Sequence, residues 1–219
     1  EILVIVYESS IDKTIDIVKA YGKKDRRIKL IIQPKERKGI GNAYLIGFEQ
    51  ATYDKVFYAD SDNQFDLDEI KRFLPYIHDY DIIAGYRINR QDPKGRIYTS
   101  KIYNFMLRRL FPIKEKDVDC AFRFVNKKIF TAVTITSTTG LMTAEMLTKA
   151  RIAGYKITQV GVSHYPREAG EARFEMPAGL NVPKPKVVIE IIDEIIRLRE
   201  EIKRYKKKYM YKQEKRKRE

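Results

Sequence analysis

The chain has 219 residues, of which 43% are hydrophobic and 34% charged, and its formal net charge is +14 at pH 7. This mixture is typical of a folded globular protein and excludes a disordered chain. One cysteine excludes an internal disulfide, and with only two histidines it argues against a zinc site, so we expect a reducing, cytoplasmic setting.

The positive charge is concentrated at the C-terminus. Residues 203–219 contain ten Lys or Arg and two Glu, a net charge of +8, which leaves +6 for the other 202 residues. Tyrosines stand between these charges, a pattern that suits anionic lipid headgroups or nucleic acid. The longest apolar run, Ile2–Tyr7, is far shorter than the ~20 residues that cross a bilayer. We therefore expect a peripheral contact with an anionic membrane surface at its inner face, and no nucleic-acid partner.

Short apolar runs alternate with helical patterns in the first half of the chain. The runs are ILVIVY, IKLIIQ, VFYAD and DIIAGY, and the helical patterns cover residues 14–21, 41–52 and 66–78. Alternation of this kind predicts βαβ units and a parallel sheet with helices on both faces. The pattern then loosens into a polar loop, a helix ending at Phe111, a strand VDCAFRFV, a helix over 143–153 and a strand KITQVGV.

A proline-containing stretch, MPAGLNVPKPK, separates a first domain, residues 1–180, from a C-terminal segment, residues 181–219. The segment reads as one long basic helix. Its apolar residues recur in steps of three and four, at Val188, Ile191, Ile195, Leu198, Ile202, Tyr205 and Tyr209. This spacing fits a short coiled coil that would join two copies of the chain, or a helix that packs on its own domain.

Acidic residues follow the third predicted strand directly. Asp60, Asp62 and Gln64 offer oxygen ligands at alternate positions, which suits Mg²⁺ or Mn²⁺ bound together with phosphate oxygens. The alternative is a polar turn that caps a helix starting near Asp66. In open α/β sheets, ligands bind beyond the carboxyl ends of the strands, where these residues lie.

Several segments, in order, resemble family 2 glycosyltransferases, in particular the dolichyl-phosphate mannose and glucose synthase branch. KVFYADSDNQFDLDEIKRFL resembles that family's D-x-D-x-Q segment, ESSIDKT its nucleotide loop, and RKGIGNAYLIGFEQA its G-x-G-x-A helix. RIYTSKIYNFMLRRLF resembles the R-x-x-x-S helix, KDVDCAFRFVNKKIF the D-x-x-x-G-F-R element, and TAEMLTKARIAGYKITQVGVSHYPREAGEARF the acceptor segment. The resemblance implies a GT-A type α/β fold, a sheet that binds a nucleotide sugar and is flanked by helices.

The resemblance also assigns site residues. Asp60, Asp62 and Gln64 would hold the divalent cation, with Asp60 and Asp62 acting in catalysis. The donor would be bound by Glu8, Ser10, Asp12, Lys38, Gly39 and Asp60. A phosphate-bearing acceptor would be bound by Arg87, Arg96 and Arg167, because arginine forks match phosphate oxygens. Arg123 is expected to brace the structure.

The implied function is an inverting, metal-dependent transfer of a sugar from a GDP- or UDP-sugar to a polyprenyl (dolichyl) phosphate at the membrane surface. Two alternatives stay open. The acceptor is a sugar hydroxyl, with Glu145 as general base; or the chain is a non-catalytic, basic coiled-coil binding module with a degenerate transferase domain. Glu145 otherwise has a positioning role.

Two departures from the family pattern bear on the donor. Tyr7 and Ser9 stand where the family usually has Asp and Gly, so the nucleotide base is left open. The family's first strand and helix have no counterpart before Glu1, and we expect that an earlier segment supplies them. Without it, donor binding is expected to fail.

Overall fold

The structure, a computed structural model, describes residues 1–167 and 185–218. Within these ranges the strands are β1 (Ile2–Tyr7), β2 (Ile28–Gln33), β3 (Lys55–Ala59), β4 (Ile82–Ile88), β5 (Phe122–Asn126) and β6 (Ile157–Ser163). The α-helices are α1 (Thr14–Lys24), α2 (Ile40–Gln50), α3 (Lys94–Leu110), α4 (Lys128–Ala132), α5 (Met142–Ile152) and α6 (Pro185–Arg218). Short 3-10 helices cover Lys35–Arg37, Leu67–Arg72 and Leu74–Tyr76.

The strands form two sheets. β1 and β2 pair in parallel, with Ile2 opposite Ile28. The larger sheet has the order β3-β5-β4-β6, in which β4 and β6 are parallel while β5 runs antiparallel to both of its neighbours. The prediction of a wholly parallel sheet was therefore wrong for β5, whose insertion between β3 and β4 depends on contacts far apart in sequence.

Each face of the larger sheet carries a hydrophobic core. Ile82 and Ile83 are adjacent and both buried, and they point to opposite faces because successive side chains of a strand alternate. The Ile82 face packs against α3, α5 and α6. The Ile83 face packs against a cluster rich in phenylalanine, including Phe73 from the segment after β3. The sheet is thus covered on both sides, as predicted, and its strand ends stay open for a site.

The predicted helix over residues 66–78 is instead two 3-10 helices that meet at Phe73. Pro75 gives the physical reason, because it has no backbone N–H and its ring would clash with the carbonyl of Lys71 in a continuous α-helix. Asp66 begins the first of these helices, where its carboxylate accepts a hydrogen bond from the Asp68 N–H at 2.9 Å. Asp66 thus caps this helix, as expected for the alternative of a polar turn at a helix start.

Helix α6 packs on the domain. Ile195, Leu198 and Ile202 are buried in the core beside α5, and the Tyr209 hydroxyl donates to the Ala153 carbonyl at 3.1 Å. These apolar residues of α6 therefore pack against their own domain, which is the second of the two alternatives that their spacing allows. The proline-containing linker and the domain boundary near residue 180 fall largely outside the described residues. Among the described helices, none is both long and apolar enough to cross a membrane.

Candidate functional site

The loop after β3 places two carboxylates at the carboxyl end of the larger sheet. The Asp60 N–H bonds to the Ala121 carbonyl at 3.3 Å, and its Oδ1 accepts a hydrogen bond from the Tyr44 hydroxyl of α2 at 2.9 Å. Solvent reaches Asp60, yet the surrounding protein removes enough water to raise the pKa of its carboxyl, and the charge of Asp62 raises it further. A nearby cation is therefore favourable for the Asp60 carboxylate.

Arg167, from the segment after β6, lies directly on this loop. Its guanidinium donates to Asp62 Oδ2 at 2.8 Å and to Gln64 Oε1 at 3.3 Å. A backbone bond from Tyr165 N to the Gln64 carbonyl at 3.0 Å and a bond from Gln64 Nε2 to the Tyr165 carbonyl at 3.1 Å join the two segments. The structure therefore brings one predicted acceptor residue onto two predicted metal ligands. Arg167 also lines a cavity of about 680 Å³ between these segments.

The donor set fits a hard divalent cation. Asp60, Asp62 and Gln64 supply carboxylate and amide oxygens, which Mg²⁺ and Mn²⁺ prefer, and a nucleotide phosphate can complete the coordination. Arg167 supports this fit, since a positive group already lies between the oxygens of Asp62 and Gln64. Among the described residues, three His, Cys, Asp or Glu side chains are nowhere close enough to hold a metal by themselves. Any cation here thus depends on Gln64 or on the substrate for part of its ligand shell.

Arg87 has a partner within the protein. Its Nε and Nη2 donate to the Asp117 carboxylate at 2.6 and 2.8 Å, and both side chains are almost fully buried. Burial alone would raise the pKa of Asp117, but the hydrogen bonds and charge of Arg87 hold it below its usual value. The predicted acceptor role of Arg87 thus concerns a guanidinium that is already paired and fixed in orientation.

A basic pocket opens beside this pair. It is a cavity of about 270 Å³ between β4, α3 and the segment before β5. Its cationic lining residues are Arg87, Arg90, Lys101, Arg108 and Lys116. Among them, only Arg87 is predicted from the sequence to bind the acceptor. The signal that could have found two others is the composition of α3, which contains no Asp or Glu.

Arg96 belongs to a neighbouring cluster around the buried side chain of Asp92. Its Nε lies 3.4 Å from Asp92 Oδ1, the Arg90 Nε donates to Oδ2 at 2.9 Å, and His164 Nδ1 lies 3.4 Å from Oδ2. This cluster ties the loop after β4 to the segment after β6. Burial lowers the pKa of His164 to about 4, and the positive charges of Arg87, Arg90 and Arg96 oppose its protonation while Asp92 favours it.

We expect the stability of the protein to fall as pH is lowered from 6.5 to 4, in part through His164. The unfolded histidine takes up a proton near 6.5 and the folded one only near 4, so protonation favours the unfolded chain. The contribution is up to about 3 kcal/mol. Chemical denaturation of wild type and His164→Asn across this range measures it, because carboxyl groups common to both proteins cancel in the difference. An unchanged slope in the variant would contradict the assignment.

Glu145 lies in the first turn of α5, and its side chain is fully buried. Its oxygens accept hydrogen bonds from the Thr136 N–H and hydroxyl, from the Ser137 N–H at 2.7 Å and from Lys149 Nζ at 2.6 Å. With four donor groups bonded to it and no exposure to solvent, the carboxylate has no free path to an acceptor. This burial fits a positioning role for Glu145 better than a role as general base, and both roles stay predictions.

The loop that contains Gly39 leads into the N-terminus of α2. Gly39 has φ +105°, and Gly41 lies so close to Thr138 that a Cβ there would be 2.4 Å from its carbonyl carbon. Both positions thus require glycine. Gln33 Nε2 holds the loop by donating to the Gly39 carbonyl at 2.8 Å, and Asn42 Nδ2 donates to the Lys38 carbonyl at 2.9 Å. The predicted donor residues Lys38 and Gly39 therefore lie at a helix N-terminus, which favours anions.

The other predicted donor residues follow β1. The Glu8 side chain accepts a hydrogen bond from the Lys35 N–H at 3.2 Å, and Ser10 N donates to the Tyr7 carbonyl at 2.9 Å. Asp12 Oδ1 accepts from the Thr14 N–H at 3.0 Å, beside the first residue of α1, and hydrogen bonds with the Thr14 side chain and backbone lower the pKa of Asp12. These contacts fix the loop locally, and their role toward a nucleotide stays a prediction.

Comparison with known proteins adds solved structures of similar fold. Glucosyl-3-phosphoglycerate synthase from Mycobacterium tuberculosis in complex with UDP superposes with a TM-score of 0.60 at 14% identity, over 91% of this chain and 68% of that one. The same enzyme with Mn²⁺, UDP-glucose and phosphoglyceric acid gives a TM-score of 0.56 at 15% identity, over 77% of this chain and 61% of that one. The expected GT-A type α/β fold with flanking helices is thereby confirmed.

Curated relatives are similar in sequence as well. Undecaprenyl-phosphate 4-deoxy-4-formamido-L-arabinose transferase from Pectobacterium carotovorum is 25% identical over 181 residues, 82% of this chain and 54% of the relative. The protein of the same name from Pseudomonas fluorescens is 27% identical over 177 residues, 78% of this chain and 50% of the relative. The chain thus spans about half the length of these relatives. Their names point to a branch related to the dolichyl-phosphate synthases, which is not that branch itself.

A match to a family model shows to which protein family the chain belongs. The model described as glycosyl transferase family 2 matches residues 1–134, more than half of the 219-residue chain. The matched range includes the Gly39 loop, the carboxylates after β3 and all the residues that line the basic pocket. The chain therefore belongs to glycosyl transferase family 2.

Proposed function

We propose that the chain catalyses an inverting, metal-dependent transfer of a sugar from a nucleoside-diphosphate donor to a polyprenyl phosphate. One observation carries the proposal: the carboxylates of Asp60 and Asp62 and the basic pocket share one edge of the sheet. β3 and β4 run in the same direction with β5 between them, so Asp60 after β3 and Arg87 near the end of β4 lie at the same edge of the sheet, and Arg87 lines the pocket. A site for a metal-bound diphosphate thus adjoins a site for a second phosphate.

On the donor side, Asp60, Asp62 and Gln64 would hold Mg²⁺ or Mn²⁺. When bound, the cation neutralises the charge that develops on the departing diphosphate. The N-terminus of α2, with Lys38 and Gly39, contributes positive potential for the same phosphates. The hydroxyl of Tyr44 fixes Asp60 Oδ1 at 2.9 Å and so orients one carboxylate before substrate arrives. Glu8, Ser10 and Asp12 are proposed to contact the nucleoside.

On the acceptor side, a phosphate oxygen of the lipid is the nucleophile. It attacks the anomeric carbon as the bond from that carbon to the diphosphate oxygen breaks, and the nucleoside diphosphate leaves with inversion. A phosphate monoester is already anionic, so the step needs no strong base. This agrees with the burial of Glu145. Arg90, Lys101 and Lys116 are proposed to hold the phosphate, together with the predicted Arg87, Arg96 and Arg167.

The comparisons support the substrate classes. The relatives are named for undecaprenyl phosphate as acceptor, and the fold neighbour is described with Mn²⁺ and UDP-glucose. Because undecaprenyl and dolichyl chains carry the same phosphate, the basic pocket suits either. The basic end of α6 is proposed to hold the protein at the inner face of an anionic membrane, since Lys203, Arg204, Lys206, Lys207 and Lys208 are exposed. Self-association through the exposed part of α6 stays a proposal.

The direct test offers the protein UDP- and GDP-sugars with Mn²⁺ and two kinds of acceptor. We expect transfer to a short-chain prenyl phosphate and none to a free sugar hydroxyl. Transfer only to hydroxyl acceptors would favour the first alternative. A lack of both transfer and donor hydrolysis, in a protein that includes any segment before Glu1, would favour the non-catalytic module.

A substitution in the pocket tests the acceptor site. We expect Lys101→Ala to raise the KM for a short-chain prenyl phosphate by a factor of about 10 to 100, because a charged hydrogen bond contributes about 1.5 to 3 kcal/mol. The KM for the donor should stay unchanged. Arg109→Ala is the matched control, a basic residue of the same helix that does not line the pocket. Equal effects of the two substitutions would remove the pocket from the acceptor site.

A further inference from the structure

Helix α3 has an apolar face that the described part of the protein leaves uncovered. Tyr98, Ile102 and Phe105 are 68%, 52% and 65% exposed. They lie four and three residues apart, so they form one stripe along the helix. Large aromatic and aliphatic side chains arranged in such a stripe need a partner more than scattered ones do.

The charges beside the stripe indicate the chemistry of that partner. Helix α3 carries five basic residues and no acidic residue over Lys94–Leu110. Of these, Lys94, Lys101, Arg108 and Arg109 are exposed along the helix. A helix with aromatic and aliphatic residues on one face and Lys or Arg beside them is typical of segments that lie in the headgroup region of an anionic bilayer. Nucleic acid would engage the charges but would leave Ile102 without a suitable contact.

The basic pocket shares this helix. Lys101 and Arg108, which lie seven residues apart on one side of α3, line the pocket and also border the stripe. A helix lying in the headgroup region would therefore hold the pocket at the depth of lipid phosphates.

We infer that the exposed face of α3 is the surface by which the protein docks on an anionic bilayer. The inference rests on the proposed function for the identity of the lipid in the pocket, but the docking itself does not require catalysis. The stripe inserts among the headgroups, and the flanking Lys and Arg contact anionic lipids. The basic end of α6 then adds attraction and does not set the orientation.

Co-sedimentation with phosphatidylcholine vesicles, with and without phosphatidylglycerol, tests the inference. We expect Phe105→Glu and Ile102→Glu each to weaken binding to the anionic vesicles by about tenfold or more, about 1.4 kcal/mol. Ile17→Glu is the matched control, because Ile17 is a 53% exposed isoleucine of α1, a helix that packs on the other sheet. The control should bind like wild type.

Two further measurements distinguish membrane docking by α3 from a defect in catalysis and from binding to nucleic acid. Transfer to a short-chain, water-soluble prenyl phosphate should be unchanged in Phe105→Glu, so a loss of vesicle binding with this activity retained supports docking. If no protein, wild type included, shows transfer while the vesicle result holds, the proposed function fails and the docking surface stands. Equal binding of the α3 variants and wild type would overturn the inference. So would tighter binding to an unspecific DNA duplex than to vesicles, or loss of all binding on removal of residues 210–219 alone.

Discussion

Asp62→Asn is expected to reduce sugar transfer by about 10³-fold or more while the protein remains folded. Asparagine keeps the size of the side chain but removes the charge that would hold the divalent cation. Cation stabilisation of a leaving diphosphate contributes several kcal/mol, and about 4 kcal/mol corresponds to the expected factor. The pair between Asp62 and Arg167 is partly exposed, so its loss should change the free energy of unfolding by less than about 1 kcal/mol.

The measurement is the transfer rate as a function of Mn²⁺ concentration, together with Mn²⁺ binding by calorimetry and a thermal melt. Asp68→Asn is the matched control, because Asp68 lies in the same acidic segment but is exposed and pairs with Lys71. Wild-type Mn²⁺ affinity and turnover in Asp62→Asn would remove the cation from this loop. A large loss of stability would instead mean that the effect on activity is structural.

A substitution of Arg167 tests the same cation site independently. Its guanidinium contacts both Asp62 and Gln64, so it competes with a cation for their oxygens. We therefore expect Arg167→Met to bind Mn²⁺ about fivefold more tightly than wild type in the absence of nucleotide, about 1 kcal/mol. The same substitution should weaken transfer if Arg167 moves to a substrate phosphate when the cation enters. Unchanged Mn²⁺ affinity would indicate that cation and arginine occupy separate positions.

Local patterns were sufficient to predict the strands. The runs ILVIVY and IKLIIQ coincide with β1 and β2, and the carboxylates after the third run lie at a strand end as expected. Short runs of β-branched residues between polar turns carry this information within a few residues. The direction of β5 could not be predicted in this way, because it depends on pairing with two strands that lie more than 30 residues earlier in the chain.

The site was predictable in part for the same reason. The predicted metal ligands Asp60, Asp62 and Gln64 lie in one continuous stretch of sequence, and they stay together in the structure. The partner of Arg87 is Asp117, 30 residues away, and its identity depends on how β4 and the segment before β5 meet. The basic pocket likewise combines separate segments. Pairing of Glu145 with Lys149 could have been read from their spacing of four, but such pairs are usually at the surface. Only the fold shows that this one is buried.

The buried pair of Glu145 and Lys149 is the basis of a second prediction with a large expected effect, this time on stability. Lys149 is fully buried, and its Nζ donates to Glu145, to Glu201 at 3.0 Å and to the Thr134 carbonyl at 2.6 Å. Glu145 in turn holds the segment that contains Thr136 and Ser137. The next residue, Thr138, packs against Gly39 and Gly41 at the start of α2. Glu145 thus links α5 and α6 to the loop proposed to bind the donor phosphates.

We expect Glu145→Ala to lower the free energy of unfolding by about 3 to 5 kcal/mol, because it leaves buried donors and one buried cation without their main acceptor. For a chain of this size the corresponding fall in Tm is roughly 6 to 20 °C. Glu145→Gln keeps the volume and one acceptor oxygen, so its cost should be smaller, about 1 to 3 kcal/mol. Glu200→Gln is the matched control in α6, since the exposed Glu200 pair with Lys203 contributes little to stability.

Kinetics then distinguish positioning from base catalysis. If Glu145 positions the donor loop, Glu145→Gln assayed well below its Tm should raise the KM for the nucleotide sugar. The pH dependence of kcat should keep its wild-type shape, because no titrating base has been removed. A general base would show the reverse: kcat lost, the acidic limb of the pH profile abolished and stability little changed. That outcome would restore the hydroxyl acceptor as the better proposal, and it would require Glu145 to leave the buried position in which Thr136, Ser137 and Lys149 hold it.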